Sequence, residues 1–206
     1  MRYGMVIDLR RCVGCQTCSI ACKMSNNLPK DMLWLKVKDE AGTTLDVATG
    51  TYPNVAMRYT PINCMHCSNA PCAAVCPTKA TYRDENGIVV QNNDLCVGCG
   101  ACIAACPYEG VRTMNVGEPE FYLDFDLGHA TAPRHMANKV EKCNLCAGRL
   151  ALGEKPACME LCPGRARYFG DLDDPNSEVC KVMEGRKVMR LKEEAGTEPN
   201  VYYLIG

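Results

Sequence analysis

Residues Cys96-Val97-Gly98-Cys99-Gly100-Ala101-Cys102-Ile103-Ala104-Ala105-Cys106-Pro107 place four cysteines in the spacing C-x2-C-x2-C-x3-C and close the run with proline. Three cysteines two residues apart on a tight loop converge on one centre. The fourth, carried on the helical turn that follows, points away toward a neighbouring one. Proline beyond it has no N–H to leave unpaired and turns the chain aside. Outward from this stretch the pattern recurs. Cys12, Cys15, Cys18 and Cys22 repeat the compact spacing, Cys64, Cys67, Cys72 and Cys76 have a four-residue middle gap, and Cys143, Cys146, Cys158 and Cys162 have one of eleven. Cys76, Cys106 and Cys162 precede proline, whereas Cys22 precedes Lys23. Sixteen of the 17 cysteines fall into these groups and Cys180 is left over, so the chain is an internal repeat.

This spacing is the bacterial ferredoxin run, whose fourth cysteine ligates the other cluster of a pair. Two alternatives use cysteine at similar density. A zinc scaffold takes C-x2-C pairs in twos, and a third cysteine two residues on, followed by Cys-Pro, has no place in it. A disulfide framework favours a short secreted chain with an even cysteine count. Iron–sulfur ligation is the reading that the repeated run supports. Composition agrees, since cysteine inflates the 47% hydrophobic fraction and without it roughly 39% remains, with one Trp, nine Tyr and three Phe. An ordinary apolar core is thin for 206 residues, so metal centres are expected to fill part of the interior. Net charge is −1, which excludes an overall basic field for nucleic acid. No apolar run has the length of a membrane span. Met1-Arg2-Tyr3-Gly4-Met5 lacks an apolar signal region, so no export signal of its own is expected.

The groups predict an α+β fold of two ferredoxin-like two-cluster domains, one inserted in the other, with extra loops and a C-terminal helix and strand. Residues 64–106 form the inner domain, and residues 1–22 plus 143–175 form the outer, split one. Residues 23–63 and 107–142 are insertions and residues 176–206 a tail. In the inner domain, Ala80–Arg83 and Gly87–Val90 read as strands around an Asp84-Glu85-Asn86-Gly87 turn, with short helices at Ala70–Val75 and Ala101–Cys106. Tyr3–Leu9 and Ala166–Phe169 read as outer strands. In the tail, a helix from about Asn176 to Gly185 takes Asp174 as its N-cap and Pro175 at its first position, and residues 196–204 form a turn and strand. The insertions read as functional surfaces or ordered caps and not as core. Trp34 reads as an interface anchor or a cap.

Several further stretches carry a resemblance. They are Gly4-Met5-Val6-Ile7-Asp8, Cys64-Met65-His66-Cys67-Ser68-Asn69-Ala70-Pro71-Cys72, Asn92-Asn93-Asp94, Lys142-Cys143, Gly170-Asp171-Leu172-Asp173-Asp174-Pro175, and the ending Gly196-Thr197-Glu198-Pro199-Asn200-Val201-Tyr202-Tyr203. With the four groups they resemble, over essentially the whole chain, the four-cluster electron-transfer subunit of molybdopterin oxidoreductases in the dimethyl sulfoxide reductase family, of the polysulfide, thiosulfate and arsenate reductase and catechol dehydroxylase type. The resemblance implies that Cys12, Cys15 and Cys18 share a [4Fe–4S] cluster with Cys162, and Cys143, Cys146 and Cys158 another with Cys22. It likewise pairs Cys64, Cys67 and Cys72 with Cys106, and Cys96, Cys99 and Cys102 with Cys76. Nitrate-reductase relatives put tryptophan at one ligand position, where this chain has Cys99, so four cubane clusters are implied. Also implied are a large molybdopterin catalytic subunit, a membrane anchor or a quinol- or cytochrome-linked donor, and a role in anaerobic respiration. The complex would be soluble or membrane-associated, and exported beside a twin-arginine partner or else cytoplasmic.

The function class that follows is an electron-transfer subunit with no catalytic site of its own. A free-standing polyferredoxin is the alternative, against which the two long insertions count. An enzyme with its own centre finds no Gly-rich phosphate loop, no H-E-x-x-H and no triad in the sequence. His66, His129 and His135 read as loop histidines, and Cys180 as a half-buried helix thiol. Lys23, Lys79, Arg10, Arg11 and Lys142, all near ligand groups in sequence, read as solvated surface charges, or else as cations turned inward that would favour the reduced state of a nearby cluster.

Overall fold

The computed structural model describes residues 1–206 as short helices and strands strung between the cysteine loops. In chain order the elements are β1 (Tyr3–Asp8), α1 (Thr17–Ser25), β2 (Lys36–Lys38), β3 (Thr49–Thr51), β4 (Asn54–Ala56), β5 (Thr60–Ile62), α2 (Pro71–Ala74), β6 (Thr81–Arg83), β7 (Val89–Gln91), α3 (Ala101–Ala104) and β8 (Arg112–Met114). They continue with β9 (Val140–Lys142), α4 (Ala147–Ala151), α5 (Ala157–Glu160), β10 (Arg167–Asp171), α6 (Glu178–Met183), β11 (Val188–Met189) and β12 (Val201–Leu204). Pairing follows one rule. The strand that leaves each cysteine group pairs, antiparallel, with the strand that enters another. β2 pairs with β5, β6 with β7 and β8 with β9, while β10, after the last group, returns to β1 before the first.

The largest sheet has the order β10-β1-β12-β11. β1 is all but fully buried because it is sandwiched, with Met5 opposite Phe169 on one side and Val201 on the other. Its β-branched Val6 and Ile7 suit a strand covered on both faces. β12 does a second task. The preceding backbone takes Ser68 N–H at the Glu198 carbonyl and Asn69 N–H at the Thr197 carbonyl, and Asn200 N–H donates to Met65, so the tail grips the second cysteine loop.

The inner hairpin forms where the sequence places it. Asp84 Oδ1 accepts from the N–H of Asn86 (3.0 Å) and Ile88 (2.7 Å), and Gly87 takes the left-handed φ of +78° that the turn requires. The tail helix starts later than expected. Asp174 Oδ1 binds Asn176 N–H at 2.8 Å and its carbonyl takes Ser177 N–H, which makes a turn of its own, and Ser177 is the N-cap of α6. Pro175 lies in that turn and not at the first helical position.

The insertions are not merely surface. Leu28, Met32, Trp34, Leu35 and Val37 from the first, and Tyr108 and Val111 from the second, are buried in the main core with Cys18, Cys22, Cys64, Cys67, Cys143 and Cys158. Trp34 is 4% exposed and its Nε1–H points at Met32 Sδ (3.3 Å), so it is a core residue and no free interface anchor. A smaller core collects Cys72, Cys76, Cys96 and Cys102 around Ala80, Val89 and Val140. Thiols therefore occupy positions that aliphatic side chains hold elsewhere. Outside the core, Leu45 before β3 and Tyr52 and Val55 of the β3–β4 hairpin are exposed, as are Val116, Tyr122 and Phe125 in the loop after β8. No helix is long and apolar enough to cross a membrane.

Candidate metal centres

Each cysteine group lies on a loop bent by left-handed residues that lead into a short helix. Gly14 (φ +71°) and Gln16 (φ +59°) precede α1, Gly98 and Gly100 (φ +70° and +72°) precede α3, and Leu145 and Cys146 (φ +53° and +54°) precede α4. A Cβ at Gly14 would enter the Tyr59 ring, and one at Gly98 would collide with the Asn138 carbonyl oxygen, so both positions need glycine. The bends turn backbone N–H groups inward. Gly98 donates to Cys96 Sγ (3.4 Å), Leu145 to Cys143 Sγ (3.4 Å), Thr81 to Cys76 Sγ (3.5 Å) and Ala166 to Cys162 Sγ (3.4 Å).

The thiols gather across groups. One cavity is lined by Cys12, Cys15, Cys18 and Cys162, here quartet A. A second is lined by Cys22, Cys143, Cys146 and Cys158, quartet B. A third is lined by Cys76, Cys96, Cys99 and Cys102, quartet D. The three cavities are similar in extent. Cys64, Cys67, Cys72 and Cys106 are the four that remain, here quartet C. Burial, with the nearby Cys64 and Cys72 adding, pushes the Cys67 thiol up to about 11, and the same causes raise Cys106. The quartets stand in order. Cys158 of B is within electrostatic reach of Cys18 of A, Cys143 of B of Cys64 of C, and Cys102 of D of Cys72 of C. Cys180 stands apart, half-buried on α6 with its thiol toward the Asp171 and Leu172 carbonyls. A groove between Pro29–Met32 and Arg112–Glu120 contains no cysteine.

Two observations test what these quartets can hold. First, no group of three or more His, Cys, Asp or Glu side chains is arranged to hold a single metal ion. A zinc site needs its thiolates within about 2.3 Å of one ion, whereas a cubane presents four separate irons to four thiolates. Second, four buried donors have no acceptor in the protein: His66 Nε2, Thr113 Oγ1, Arg112 Nη2 and Arg167 Nη2. A buried donor left unsatisfied costs about 1–3 kcal/mol, so the two guanidinium donors, both near thiols, call for an acceptor the chain does not supply. Inorganic sulfide and thiolate sulfur are such acceptors, and the residues fit a [4Fe–4S] group.

The charged residues divide unexpectedly. Lys79 is exposed, Arg10 pairs with Asp8, and Arg11 reaches the Gly164 carbonyl and Tyr168 hydroxyl at the surface. Lys23 is half-buried, its Nζ capped by the Pro29, Lys30 and Met32 carbonyls. Lys142 contradicts the expectation of a solvated charge. It is 2% exposed, and its Nζ donates to the Val89 and Cys143 carbonyls. Arg112 and Arg167, which nothing in the sequence singled out, are each 4% exposed. His66 is fully buried too, with Nδ1 accepting from Val89 N–H, which leaves the ring proton on Nε2. His135 is no bland loop residue either, since it is buried against Glu141 with Nδ1 to Oε2 at 2.8 Å.

Cysteine-lined cavities on ferredoxin-type loops define an iron–sulfur protein. In agreement, the family profile described as "4Fe-4S dicluster domain" matches residues 55–118 and 130–172. The iron–sulfur subunit of arsenate respiratory reductase from Shewanella sp. (strain ANA-3) is 40% identical over 99% of this chain and 96% of its own. The B subunit of selenate reductase from Mesobacillus selenatarsenatis is 42% identical over 99% and 72%. The B polypeptide of polysulfide reductase from Wolinella succinogenes is 40% identical over 98% and 93%. The protein belongs to this family of iron–sulfur subunits of dimethyl sulfoxide reductase-type reductases.

Proposed function

We propose that the chain holds four [4Fe–4S] clusters, one in each quartet A to D, and conducts electrons to or from a molybdopterin catalytic subunit. When bound, each cluster accepts or releases a single electron with little change in ligand geometry. The observation that carries the reading is the composition of the quartets. The cavities of A, B and D each join three thiols of one group to the last thiol of another. That exchange is the ferredoxin arrangement, and it pairs A with B and C with D.

The same exchange supports one two-cluster domain (residues 64–106) inserted in another (residues 1–22 and 143–175). The two are stitched by the β2–β5 and β8–β9 pairs, whose strands lie one on either side of the insertion points. Backbone N–H groups aimed at thiol sulfurs orient the ligands and favour the charged thiolate. Most of the ligand thiols are buried, which keeps water from the centres, while Cys15 of A and Cys99 of D are exposed at the two ends of the order. Electrons therefore enter and leave at opposite ends. The large catalytic subunit covers one end, and a membrane-anchored or quinol- or cytochrome-linked partner serves the other. The relatives' names include arsenate, selenate and polysulfide reductases, all of which need reducing equivalents delivered to an enzyme.

Elemental analysis of the complex isolated without air from its native host tests this. About sixteen irons per chain, with near-stoichiometric molybdenum or tungsten, is the expected result. Iron without either metal and without a large partner would make the chain a free polyferredoxin, and zinc in place of iron would overturn the reading.

A further inference from the structure

Three cations are buried among the sixteen thiols, and each sits where two quartets meet. Arg167, on β10, lines the cavity of A, and its Nη1 points at Cys158 Sγ of B at 3.7 Å. It is held there by Asn63 Oδ1 (3.4 Å) and Met5 Sδ (3.0 Å). Lys142, at the end of β9, is bonded to the carbonyl of its neighbour Cys143 of B (2.9 Å), and it is within electrostatic reach of Cys64 and Cys72 of C. Arg112, on β8, is anchored by Thr81 Oγ1 (3.4 Å) and Gln91 Oε1 (3.3 Å), two residues that line the cavity of D, and it lies beside Cys64 and Cys72 of C and Cys102 of D.

The order A–B–C–D has three junctions, and the three cations occupy one each. We infer that Arg167, Lys142 and Arg112 are positioning residues, one per junction, that hold the like-charged groups of adjacent quartets together and set their reduction potentials in pairs. This rests on the four-cluster reading above. The physical argument is electrostatic. A cubane bound by four thiolates is an anion, and an added electron makes it more so. Neighbouring centres therefore repel, and each disfavours reduction of the next. A cation between them, in a low-dielectric interior, attracts both and attracts the reduced form of each more strongly. The spare Nη2 donors of Arg112 and Arg167 add N–H bonds to sulfur, which act in the same direction. No single protein carboxylate offsets this placement. Glu141, the acid nearest in sequence to Lys142, is committed to His135 and Asn115.

The sharing gives a signature. With the full complex carrying its clusters, equilibrium redox titration followed by electron paramagnetic resonance should resolve four midpoint potentials. Arg167→Gln is expected to lower two of them and Arg112→Gln the other two. Lys142→Gln is expected to lower one member of each pair. Arg167→Lys and Arg112→Lys, which keep the charge, should return the potentials most of the way, and they carry the test if a Gln variant fails to load iron. Variants that move one midpoint alone, all four together or none would overturn the inference. So would overlapping pairs for the two arginines. Fewer than four centres in the unaltered complex would instead defeat the cluster reading itself, so the two failures are distinguishable.

Discussion

Arg112 and Lys142 face one another as register partners across β8 and β9, and both are buried. Like charges directly opposite on a strand pair are destabilising, and buried ones more so. The pair exists because its surroundings are thiols. Burial lowers the Lys142 pKa and Arg112 lowers it further, while Cys64, Cys143 and Cys72 oppose them. Around Arg112, the thiols of Cys72, Cys64 and Cys102 outweigh burial and raise its pKa. A hairpin that buries two cations face to face is thus built for a site that carries negative charge, and the same hairpin delivers the chain to Cys143.

The fold is expected to depend on iron. Because cysteines fill much of both main cores, stripping iron with a chelator under nitrogen is expected to abolish cooperative thermal unfolding and most far-ultraviolet circular dichroism. A spectrum that survives complete iron loss would refute this.

Gly98→Ala should cost a centre and not merely stability. Its φ of +70° and the Asn138 carbonyl leave no room for a methyl group, and its N–H serves Cys96. Iron is expected to fall by about a quarter, the share of quartet D. Gly117→Ala, at φ +77° but in open space, carries a strain of about 1 kcal/mol and should retain full iron. Equal iron in both variants would count against the placement of D.

Asn200→Ala should loosen the tail. The Asn200 amide donates to the His66 carbonyl (2.7 Å) and Ser68 Oγ (3.2 Å) while 1% exposed. Loss of that donor leaves a buried carbonyl unpaired and should lower stability by about 1–3 kcal/mol in thermal melts of the iron-loaded chain. A melt unchanged within error would show that water replaces the amide.

The His135–Glu141 pair predicts a pH dependence. Burial lowers the His135 pKa, but the Glu141 carboxylate and the Asn26 carbonyl outweigh it, so the folded value lies above the ordinary 6.5. The folded protein binds the proton more tightly than the unfolded chain. Its stabilisation is complete below about pH 6.5 and disappears as pH rises through the raised value. Melts between pH 6 and 9 should show this decline, and Glu141→Gln should flatten it. An identical slope in the variant would remove His135 as the cause.

The iron–sulfur class is legible in the sequence because the cysteine spacing is local. The Asp84–Gly87 turn, β1 and the strand after Cys162 are legible for the same reason, since turn residues and apolar alternation act over a few residues. The buried cations are not. Arg167 lies five residues after Cys162 and Arg112 six after Cys106, in short strands that follow Cys-Pro, and this repeat is the signal that could have marked them. Lys142 reads as solvated because long cations usually reach water, a rule that fails when the nearest groups are thiols from another loop. Trp34 and Leu35 reach the core only because β2 pairs with β5, a contact between distant parts of the first insertion.

The position of β12 has a consequence for biosynthesis. Met5, in β1, pairs with Val201, and all sixteen grouped cysteines, Cys12 to Cys162, lie between these partners. On the ribosome, β1 emerges first and must wait, one edge bare, until every ligand has been translated and β12 follows. The strand that closes the central sheet also ties down the second cysteine loop, so the final seal forms after translation has passed the last ligand. Iron delivery before that point meets an open, exchangeable set of thiols, and afterwards a locked one.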